Sequence, residues 1–174
     1  MTSALSPRPV IRPATLGDNQ TLHRSILDLA RHVGELHKVK STPADFAHHM
    51  FGPDPALQGL VAEIAGGYAG MCLYFRSFST WNGRPGVYVQ DLWVEQNFRG
   101  GKVGGALLKR VASLTRANGG SYMRLAVDVR NFGARRFYSR LGIVHSDTEQ
   151  VYAIYGDAFM ALAAGDTDVI LEDL

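Results

Sequence analysis

Apolar residues in the first third of the chain recur three or four positions apart, and this spacing predicts helices. The first predicted helix covers the run around positions 22 to 33, and Thr15 and Asp18 precede it with the spacing of a capping box. The segment "TPAD" predicts a second, shorter helix, with Thr42 as its cap, Pro43 in its first turn and Gly52 just past its end. The short run "VIR" ahead of both helices is a candidate strand.

The pattern changes to strands after these helices and then alternates between the two types. The segments "GLVAEI" and "YAGMCLYF" flank Gly66 and Gly67, which predicts an antiparallel hairpin. The run "GVYVQDLWV" is the next strand, and an apolar stripe starting at Val103 predicts a helix that ends near Asn118. The remaining predicted elements are a strand in "YMRLAVDV", a short helix from Asn131 to Leu141 and a last strand in "VYAIY".

These elements give the order β-α-α-β-β-β-α-β-α-β. A chain of 174 residues, of which 46% are hydrophobic, is long enough for one domain with its own core. No linker or repeat interrupts it, so we expect a single domain over residues 1–174, with residues 1–8 flexible.

The charge distribution indicates which partners to expect, and the cysteine content indicates the cellular compartment. The formal net charge of +2 arises from acidic and basic residues spread along the chain, so we expect neither nucleic acid nor membrane as a partner. No apolar run approaches the ~20 residues of a spanning helix, and the start of the chain lacks a signal-peptide pattern. The single cysteine, Cys72, stands in an apolar run and suits a buried position in a reducing, cytoplasmic compartment.

The stretch "NFRGGKVGGALLKR" places four glycines between a predicted strand and a predicted helix. Such a turn directs unpaired N–H groups and the positive end of the helix dipole toward one point, which favours an anion. The spacing fits neither a nucleotide P-loop nor the G-x-G-x-x-G pattern. A phosphate site and a tight turn without ligand therefore both remain open.

Two segments resemble the cofactor motifs of the GNAT N-acetyltransferases. "WVEQNFRGGKVGGALLKRV" is similar to the acetyl-CoA motif R/Q-x-x-G-x-G/A, with Arg99 in first place and Gly104 in last. "NFGARRFYSRLG" resembles the second cofactor segment, and the likeness extends over nearly the whole chain, closest to the diamine and thialysine acetyltransferase branch. The resemblance implies an α+β domain, with a mixed, mostly antiparallel sheet between helices on both faces, and a homodimer.

The resemblance also implies which residues bind acetyl-CoA as co-substrate. In the family a bulge separates the strand before the loop from its neighbour, so that backbone groups there bind pantetheine and stabilise the thioester oxyanion. Lys102 stands where the family usually has glycine; we expect it to enter the helix with φ near −60°, its amine either on the phosphates or in solvent. The implied cofactor residues are Leu92, Trp93, Val94, Arg99, Gly100, Gly101, Lys102, Val103, Gly104, Gly105, Asn131 and Ala134.

Two residues are candidates for proton transfer. Tyr138 matches the family's general acid for the CoA thiolate, although such an aromatic residue also suits core packing. The acceptor amine must lose a proton, and the acidic pair of the diamine enzymes is Gln90 and Asp91 here. Gln90 can position the amine or a water but cannot accept a proton, so Asp91 is the candidate for binding or deprotonating the amine, with a structural carboxylate as the alternative. Strand alternation predicts that Gln90 and Asp91 face opposite ways.

The acceptor groove implied by the resemblance is only partly kept. Trp81 and Tyr152 fall at its aromatic positions, where packing at a sheet edge or in a dimer is an equal alternative. Glu35 and Glu149 are nearby acids, while His32 replaces one residue of the groove. Arg31, Lys38, Lys40 and two histidines outnumber Glu35 around this helix end, which favours an amine that also carries a carboxylate over a long polyamine.

Two functions follow as hypotheses. The first is acetyl transfer from acetyl-CoA to a primary amine of a small molecule, by direct attack in a ternary complex. The second is an acyl-CoA-binding sensor or partner module without turnover, suggested by Gln90 and Lys102. We expect no metal, because the adjacent His48 and His49 lack a completing ligand cluster.

Overall fold

A five-stranded sheet forms the centre of the described chain, in the order β1-β2-β3-β4-β5. The computed structural model describes residues 8–164, so the predicted flexibility of residues 1–7 lies outside the described residues. The elements are β1 (Val10–Pro13), α1 (Asn19–Val33), α2 (Pro43–Phe51), β2 (Gln58–Ile64), β3 (Gly67–Ser79), β4 (Arg84–Val94), α3 (Val103–Ala117), β5 (Met123–Leu125), α4 (Phe132–Arg140) and α5 (Gly156–Ala164).

The first four strands pair antiparallel, and β5 joins β4 in parallel. A parallel neighbour needs a long crossover, which α3 provides between β4 and β5. The mixed, mostly antiparallel sheet of an α+β fold is therefore confirmed.

Helices cover both faces of the sheet because the strands are apolar on both sides. On one face α3 packs on the sheet through the fully buried side chains of Val103, Leu107 and Val111. On the other face α1 and α2 contribute Leu22 and Phe46 to a second core. The strands supply alternate residues to the two cores, as expected for period-two side chains.

The predicted helix starts are largely confirmed by their caps. The Thr42 backbone N–H donates to the Asp45 carboxylate at 2.7 Å at the start of α2. Thr15 and Asp18 make the same contact at 2.7 Å, but around a single 3₁₀ turn that leads into α1. Each pair satisfies an N–H that the first helical turn leaves without a partner.

The β2–β3 hairpin turns one residue earlier than predicted. Ile64 pairs with Gly67, which leaves Ala65 and Gly66 as the two turn residues. Both have positive φ, +50° and +77°, as a two-residue turn of the primed type requires. Alanine adopts this conformation at some cost in free energy. The prediction was displaced by one position because it placed the turn at the two adjacent glycines.

The predicted last strand in "VYAIY" is wrong, since residues 151–155 have no strand pairing. The strand predicted in "YMRLAVDV" is also shorter than expected, because only Met123 to Leu125 pair with β4. Apolar alternation shows which side chains could share a face, but a strand also needs backbone partners, which lie far away in sequence. The helix α5 follows instead, in a run of strong helix formers with Asp157 in its first turn.

None of the helices within residues 8–164 has the length and apolar character needed to cross a membrane.

Candidate active site

A β-bulge interrupts β4 near the end of the strand. Tyr74 of β3 pairs with Val89, whereas the preceding Leu73 pairs with Asp91. Gln90 is therefore the extra residue on β4, and its side chain is exposed. The bulge implied by the resemblance is present.

The pairing of β4 with β5 ends close to the bulge. Their pairing ends at Val89 and Leu125, and within the described residues no strand pairs with the outer edge of β4 from Gln90 to Val94. Backbone N–H and C=O groups along this edge, in the segment that contains Leu92, Trp93 and Val94, are thus left without sheet partners. Such an edge can bind an extended ligand in the manner of an added strand.

The loop after β4 begins with a contact that fixes Arg99. Its Nε donates to the Val94 carbonyl at 3.1 Å, and its guanidinium lies over the ring of Trp93, 4.7 Å from the ring centroid. Gly100 has φ +79°, a conformation that favours glycine, and the Gly101 N–H donates to the Phe98 carbonyl at 3.2 Å.

The expected helical conformation of Lys102 is wrong. Lys102 caps α3 in the left-handed region, with φ +65° and ψ 3°. The residue still belongs to the turn that reverses the chain, so glycine in the family motif has a conformational role at this position. The backbone of Lys102 is consequently strained relative to glycine.

The first turn of α3 supplies a set of free donors. Val103, Gly104 and Gly105 open the helix, where N–H groups have no carbonyl four residues earlier within the helix. A Cβ on Gly104 would lie 3.1 Å from the Phe137 ring and 3.5 Å from a methyl group of Val94. Gly104 is therefore required for close packing of α3 against α4 and β4.

The second motif folds as a capped helix. The Asn131 side-chain oxygen accepts the Ala134 N–H at 3.0 Å, which makes Asn131 the N-cap of α4. Helix α4 brings Phe137 and Tyr138 against the core beside α3. Tyr138 is thus positioned by a capped helix and by packing.

Burial raises the pKa of three titratable groups in this region. Burial raises the pKa of Asp91 to about 6. Burial, followed by the charges of Cys72 and Asp91, raises the pKa of Tyr138 to about 12. Burial and Asp91 likewise raise the pKa of Cys72 to about 12, so its thiol stays protonated. A carboxylate with a pKa near neutrality and a protonated phenol are suited to accept and to donate a proton.

A pocket of about 500 Å³ opens between α1 and the end of β4. His32 and Trp93 meet in its wall edge to face, with ring centroids 6.1 Å apart. The buried Nε1 of Trp93 has no hydrogen-bond partner among residues 8–164. The full lining is Asp28, Arg31, His32, Trp93, Glu95, Gln96 and Arg99.

Sequence reasoning missed Asp28, Glu95 and Gln96 as pocket residues and named Arg31 only among the cations at the end of the first helix. Arg31 and His32 follow Asp28 by three and four positions, so helical spacing could have placed each of them beside Asp28 on α1. The opposite wall comes from the end of β4, and nothing local in the sequence pairs these two segments.

The predicted acid Glu35 is already engaged by cations. Lys38 Nζ lies 2.6 Å from its carboxylate and a guanidinium nitrogen of Arg130 lies 3.6 Å away. Lys38, as the nearest partner, is the main cause of the lowered pKa of Glu35. The ion pair links the loop after α1 to the loop before α4.

Two predicted acceptor residues lie outside this site. Trp81 is 98% exposed at the tip of the β3–β4 hairpin. Arg84, at the start of β4, is seven positions from Asp91, which corresponds to about 23 Å along a strand. Tyr152 is 88% exposed in the segment before α5. The roles of Trp81 and Tyr152 stay predictions.

No cluster of three or more His, Cys, Asp or Glu side chains within residues 8–164 has the arrangement of a metal site.

The sequence profile of the acetyltransferase (GNAT) family matches residues 21–143. The chain belongs to the GNAT family. The GNAT match covers the pocket face of α1, the bulged strand, the glycine loop and α4, so the site described above lies within it.

Curated GNAT relatives agree with this assignment. The chain is 33% identical to the thialysine N-epsilon-acetyltransferase of Bos taurus over 165 residues, which cover 88% of this chain and 96% of the bovine protein. It is 25% identical to the spermidine/spermine N(1)-acetyltransferase-like protein 1 of Homo sapiens, over 83% of this chain and 22% of the human protein.

Solved structures show the same fold at low identity. An integron cassette protein of V. cholerae superposes with a TM-score of 0.76 at 20% identity, over 92% of this chain and 99% of that one. The ribosomal-protein-alanine N-acetyltransferase of Brucella melitensis gives 0.66 at 17% identity, over 86% and 100% of the two chains. The enzyme class predicted from the sequence, a GNAT N-acetyltransferase, is confirmed by the family match and the curated relatives.

Proposed function

We propose that this protein transfers the acetyl group of acetyl-CoA to a primary amine of a small molecule, by direct attack in a ternary complex. The observation that carries the proposal is the placement of Asp91 and Tyr138. The Asp91 carboxylate, whose own pKa is raised by burial, lies close enough to Tyr138 to help raise the pKa of that phenol, beside a strand edge without partners among the described residues.

The backbone around the site fits acetyl-CoA. The free N–H groups at the start of α3 suit the pyrophosphate, since a helix N-terminus with glycines lets an anion approach closely. The open edge of β4 suits the amide groups of pantetheine, and an N–H there can stabilise the thioester oxyanion. Asn131 contributes by holding the start of α4 in place.

Proton transfer then follows from the two side chains. At pH 7 the Asp91 carboxylate is mostly ionised and can take a proton from the ammonium group of the acceptor. The freed nitrogen attacks the thioester carbonyl carbon, a C–N bond forms, and the C–S bond breaks. The thiolate takes the phenolic proton of Tyr138, and the second proton of the acylated nitrogen restores the phenol. The products are the N-acetyl amine and CoA, and Asp91 releases the first proton to water.

The pocket beside α1 favours an acceptor that carries a negatively charged group as well as its amine. Arg31 and Arg99 offer cations, while Asp28 and Glu95 offer anions, and His32 adds a ring with two nitrogens. Asp91 pairs across the sheet with Leu73, whose side chain lies in the core under α1 and α2, so its carboxylate starts on the pocket side. An amino acid with a side-chain amine fits this mixed lining better than spermine, which needs an acidic groove.

The experiment is a CoA-release assay with a panel of amines at fixed ionic strength. We expect kcat/KM to be highest for lysine-like amino acids, lower for a short diamine and spermidine, and lowest for spermine. Arg31→Gln should lower kcat/KM for the amino acids more than for the diamine. Arg116→Gln, on the exposed far end of α3, is the matched control.

The alternative is an acyl-CoA sensor without turnover, which Gln90 in place of an acid favours. Tight binding of acetyl-CoA with no CoA release for any amine would support the sensor and reject the enzyme. We further propose that the protein is cytoplasmic, acts without a metal and works as a homodimer.

A further inference from the structure

A cavity of about 220 Å³ lies between the last turn of α3 and the sheet, and we call it the α3 cavity. Val87, on its sheet side, stands three positions before Gln90, which corresponds to about 10 Å along a strand. Leu114, on its helix side, is eleven positions from Val103, which corresponds to about 16 Å along a helix. The α3 cavity is therefore separate from both the bulged end of β4 and the glycine loop.

The sheet brings three hydrogen-bonding side chains to this cavity. Gln58 of β2 pairs with Tyr74 of β3, and Arg76 of β3 pairs with Val87 of β4. Tyr74 and Val87 belong to the core under α3. Arg76 lies two positions after Tyr74 and therefore on the same face of the sheet. The amide of Gln58, the hydroxyl of Tyr74 and the guanidinium of Arg76 accordingly line the cavity together.

These three groups have no other partner in the described chain. Within residues 8–164 none of the three side chains takes part in a hydrogen bond or an ion pair. Tyr74 is only 7% exposed. Burial is the main cause of the raised pKa of its hydroxyl, followed by the charge of Cys72. A buried polar group is normally hydrogen-bonded, so Tyr74 supplies an unused donor in the lining of the cavity.

The helix side of the cavity uses its own side-chain donors internally. The Asn118 side-chain N–H donates to the Leu114 carbonyl at 2.8 Å, and the Thr115 hydroxyl donates to the Val111 carbonyl at 2.8 Å. The side-chain donors available to a ligand therefore come from the sheet, and they require a ligand that carries acceptors.

Backbone hydrogen bonds fix the end of α3 against β4. The Gly120 N–H donates to the Thr115 carbonyl at 2.8 Å, and the Ser121 N–H donates to the Pro85 carbonyl at 3.0 Å. A Cβ on Gly120 would collide with Thr115, so this turn packs directly on the helix. The walls of the α3 cavity are thus held in place by the protein itself, as is usual for small-molecule sites.

The lining selects an anionic ligand with an apolar body. Among the described residues, Arg76 is the one charged side chain in the lining. A guanidinium group binds a carboxylate through two parallel hydrogen bonds. Pro85, Val87 and Leu114 contribute apolar surface, against which inorganic phosphate would lose hydrogen bonds to water. A carboxylic acid with an apolar ring or a branched chain satisfies both parts of the lining.

We propose that the α3 cavity binds a small carboxylic acid, with its carboxylate on Arg76 and Tyr74 and its apolar body against Val87 and Leu114. The cavity volume of about 220 Å³ lies below the roughly 300 to 1,000 Å³ of pockets for drug-sized ligands, so the ligand carries a single ring or a short branched chain. The acetyl transfer proposed above does not enter this inference, and either proposal can fail without the other.

The test is a titration of the full chain with benzoate near neutral pH, followed by the amide chemical shifts in NMR spectra. We expect saturable shifts at Val87 and Thr115, with a Kd on the order of 1 mM for so small a ligand. Arg76→Gln should raise this Kd about tenfold, because the bidentate contact is lost. The matched control is Arg140→Gln, an exposed arginine at the end of α4, which should keep the parent Kd.

Two further probes separate the charge of the ligand from its apolar body. Benzamide keeps the ring without the charge, and inorganic phosphate keeps a charge without the ring. Each should bind at the cavity about tenfold more weakly than benzoate. Leu114→Phe enlarges a side chain of the lining, so it should fill the cavity and abolish the benzoate shifts while Arg76 is retained.

An absence of saturable shifts at the cavity would overturn the proposal, as would shifts confined to residues 99–105. An unchanged Kd in Arg76→Gln, or phosphate binding as tight as that of benzoate, would also reject it. Saturating acetyl-CoA should leave the benzoate shifts in place, and their loss would assign benzoate to the cofactor site instead. If Leu114→Phe does not fold, Arg76→Gln decides, because that side chain is exposed and outside the core.

Discussion

The guanidinium group of Arg99 lies over the indole ring of Trp93, with its central carbon 4.7 Å from the ring centroid. The contact joins the first residue of the glycine-loop motif to the strand that ends in the bulge. His32 reaches the same indole from α1. One aromatic ring therefore contacts both the predicted cofactor loop and the predicted acceptor side of the site.

Tyr138→Phe tests the general acid. The change removes one hydroxyl and little volume, so acetyl-CoA affinity should remain while kcat falls about 10²- to 10⁴-fold, the usual contribution of a general acid. Acetyl-CoA binding by calorimetry and single-turnover acetyl transfer measure the two parts separately. Tyr88→Phe, in a stacked pair with Phe75 on the sheet, is the control. Unchanged single-turnover rates would leave Tyr138 with a packing role only.

Asp91→Asn tests the base through pH dependence. In the parent, kcat/KM should rise as pH increases through about 6, because the carboxylate must be ionised to accept a proton. In Asp91→Asn the rate should be low at every pH and this limb should disappear. Asp54→Asn on an exposed loop should keep the parent profile. A parent profile that is flat between pH 5 and 7 would contradict the assignment.

The same group predicts a stability effect of defined sign. The folded pKa of Asp91 lies above its unfolded value of 3.8, so folding disfavours the ionised form. The free energy of unfolding should therefore fall as pH rises from about 4 to 6 and stay reduced above that range. Asp91→Asn removes this penalty, and we expect it to be more stable than the parent at pH 8 by on the order of 2 kcal/mol. Urea unfolding at pH 4 and pH 8 measures the difference, which should nearly vanish at pH 4.

Lys102→Gly tests the strained cap of α3. Glycine adopts φ +65° without strain, so the variant should gain about 1 kcal/mol in the free energy of unfolding. Lys102→Ala keeps the strain and loses the charge, which makes it the matched control. If both variants bind acetyl-CoA equally and more weakly than the parent, the lysine charge contacts the phosphates; parent-like binding in both places its amine in solvent.

Gly104→Val tests the close packing at the start of α3. A branched side chain would collide with Phe137 and displace the N–H groups of the first turn. Acetyl-CoA should then no longer raise Tm, and the free energy of unfolding should also fall, by about 1 to 3 kcal/mol. At Gly105 an added Cβ would meet its nearest neighbour at an ordinary 3.9 Å, so Gly105→Ala should retain the parent stability. A normal Tm increase with acetyl-CoA in Gly104→Val would reject the loop as the binding site.

Local sequence patterns predicted the elements that position the site. The caps of α2 and α4 and the start of α3 depend on residues three or four positions apart, and all three were located. The left-handed conformation of Lys102 was not predicted, because φ at that position depends on how the turn leads from β4 into α3. The strand in "VYAIY" failed for a related reason, since strand pairing requires a distant partner that alternation alone does not specify.

The pocket and the raised pKa of Asp91 were also beyond the sequence. The pocket depends on contacts between α1 and β4, which are about 60 positions apart in the chain. The sequence could name Asp91 and Tyr138 as candidates for proton transfer. The bulge in β4 was predicted from the resemblance to a family. Burial, which determines the pKa of Asp91, became visible only with the fold.

Because of the bulge at Gln90, the side chains before and after it alternate between the two faces of the sheet in opposite phase. Before it, Val87 and Val89 point toward the core under α3, whereas after it Leu92 and Val94 do so. An uninterrupted strand would send Asp91 and Trp93 the same way as Val89, into apolar packing on the α3 side. Deletion of Gln90 alone would instead keep Asp91 opposite Leu73 on the pocket side, but it would remove the bulge at which the pairing of β4 with β5 ends. The number of residues in β4, as much as their identity, is a determinant of activity.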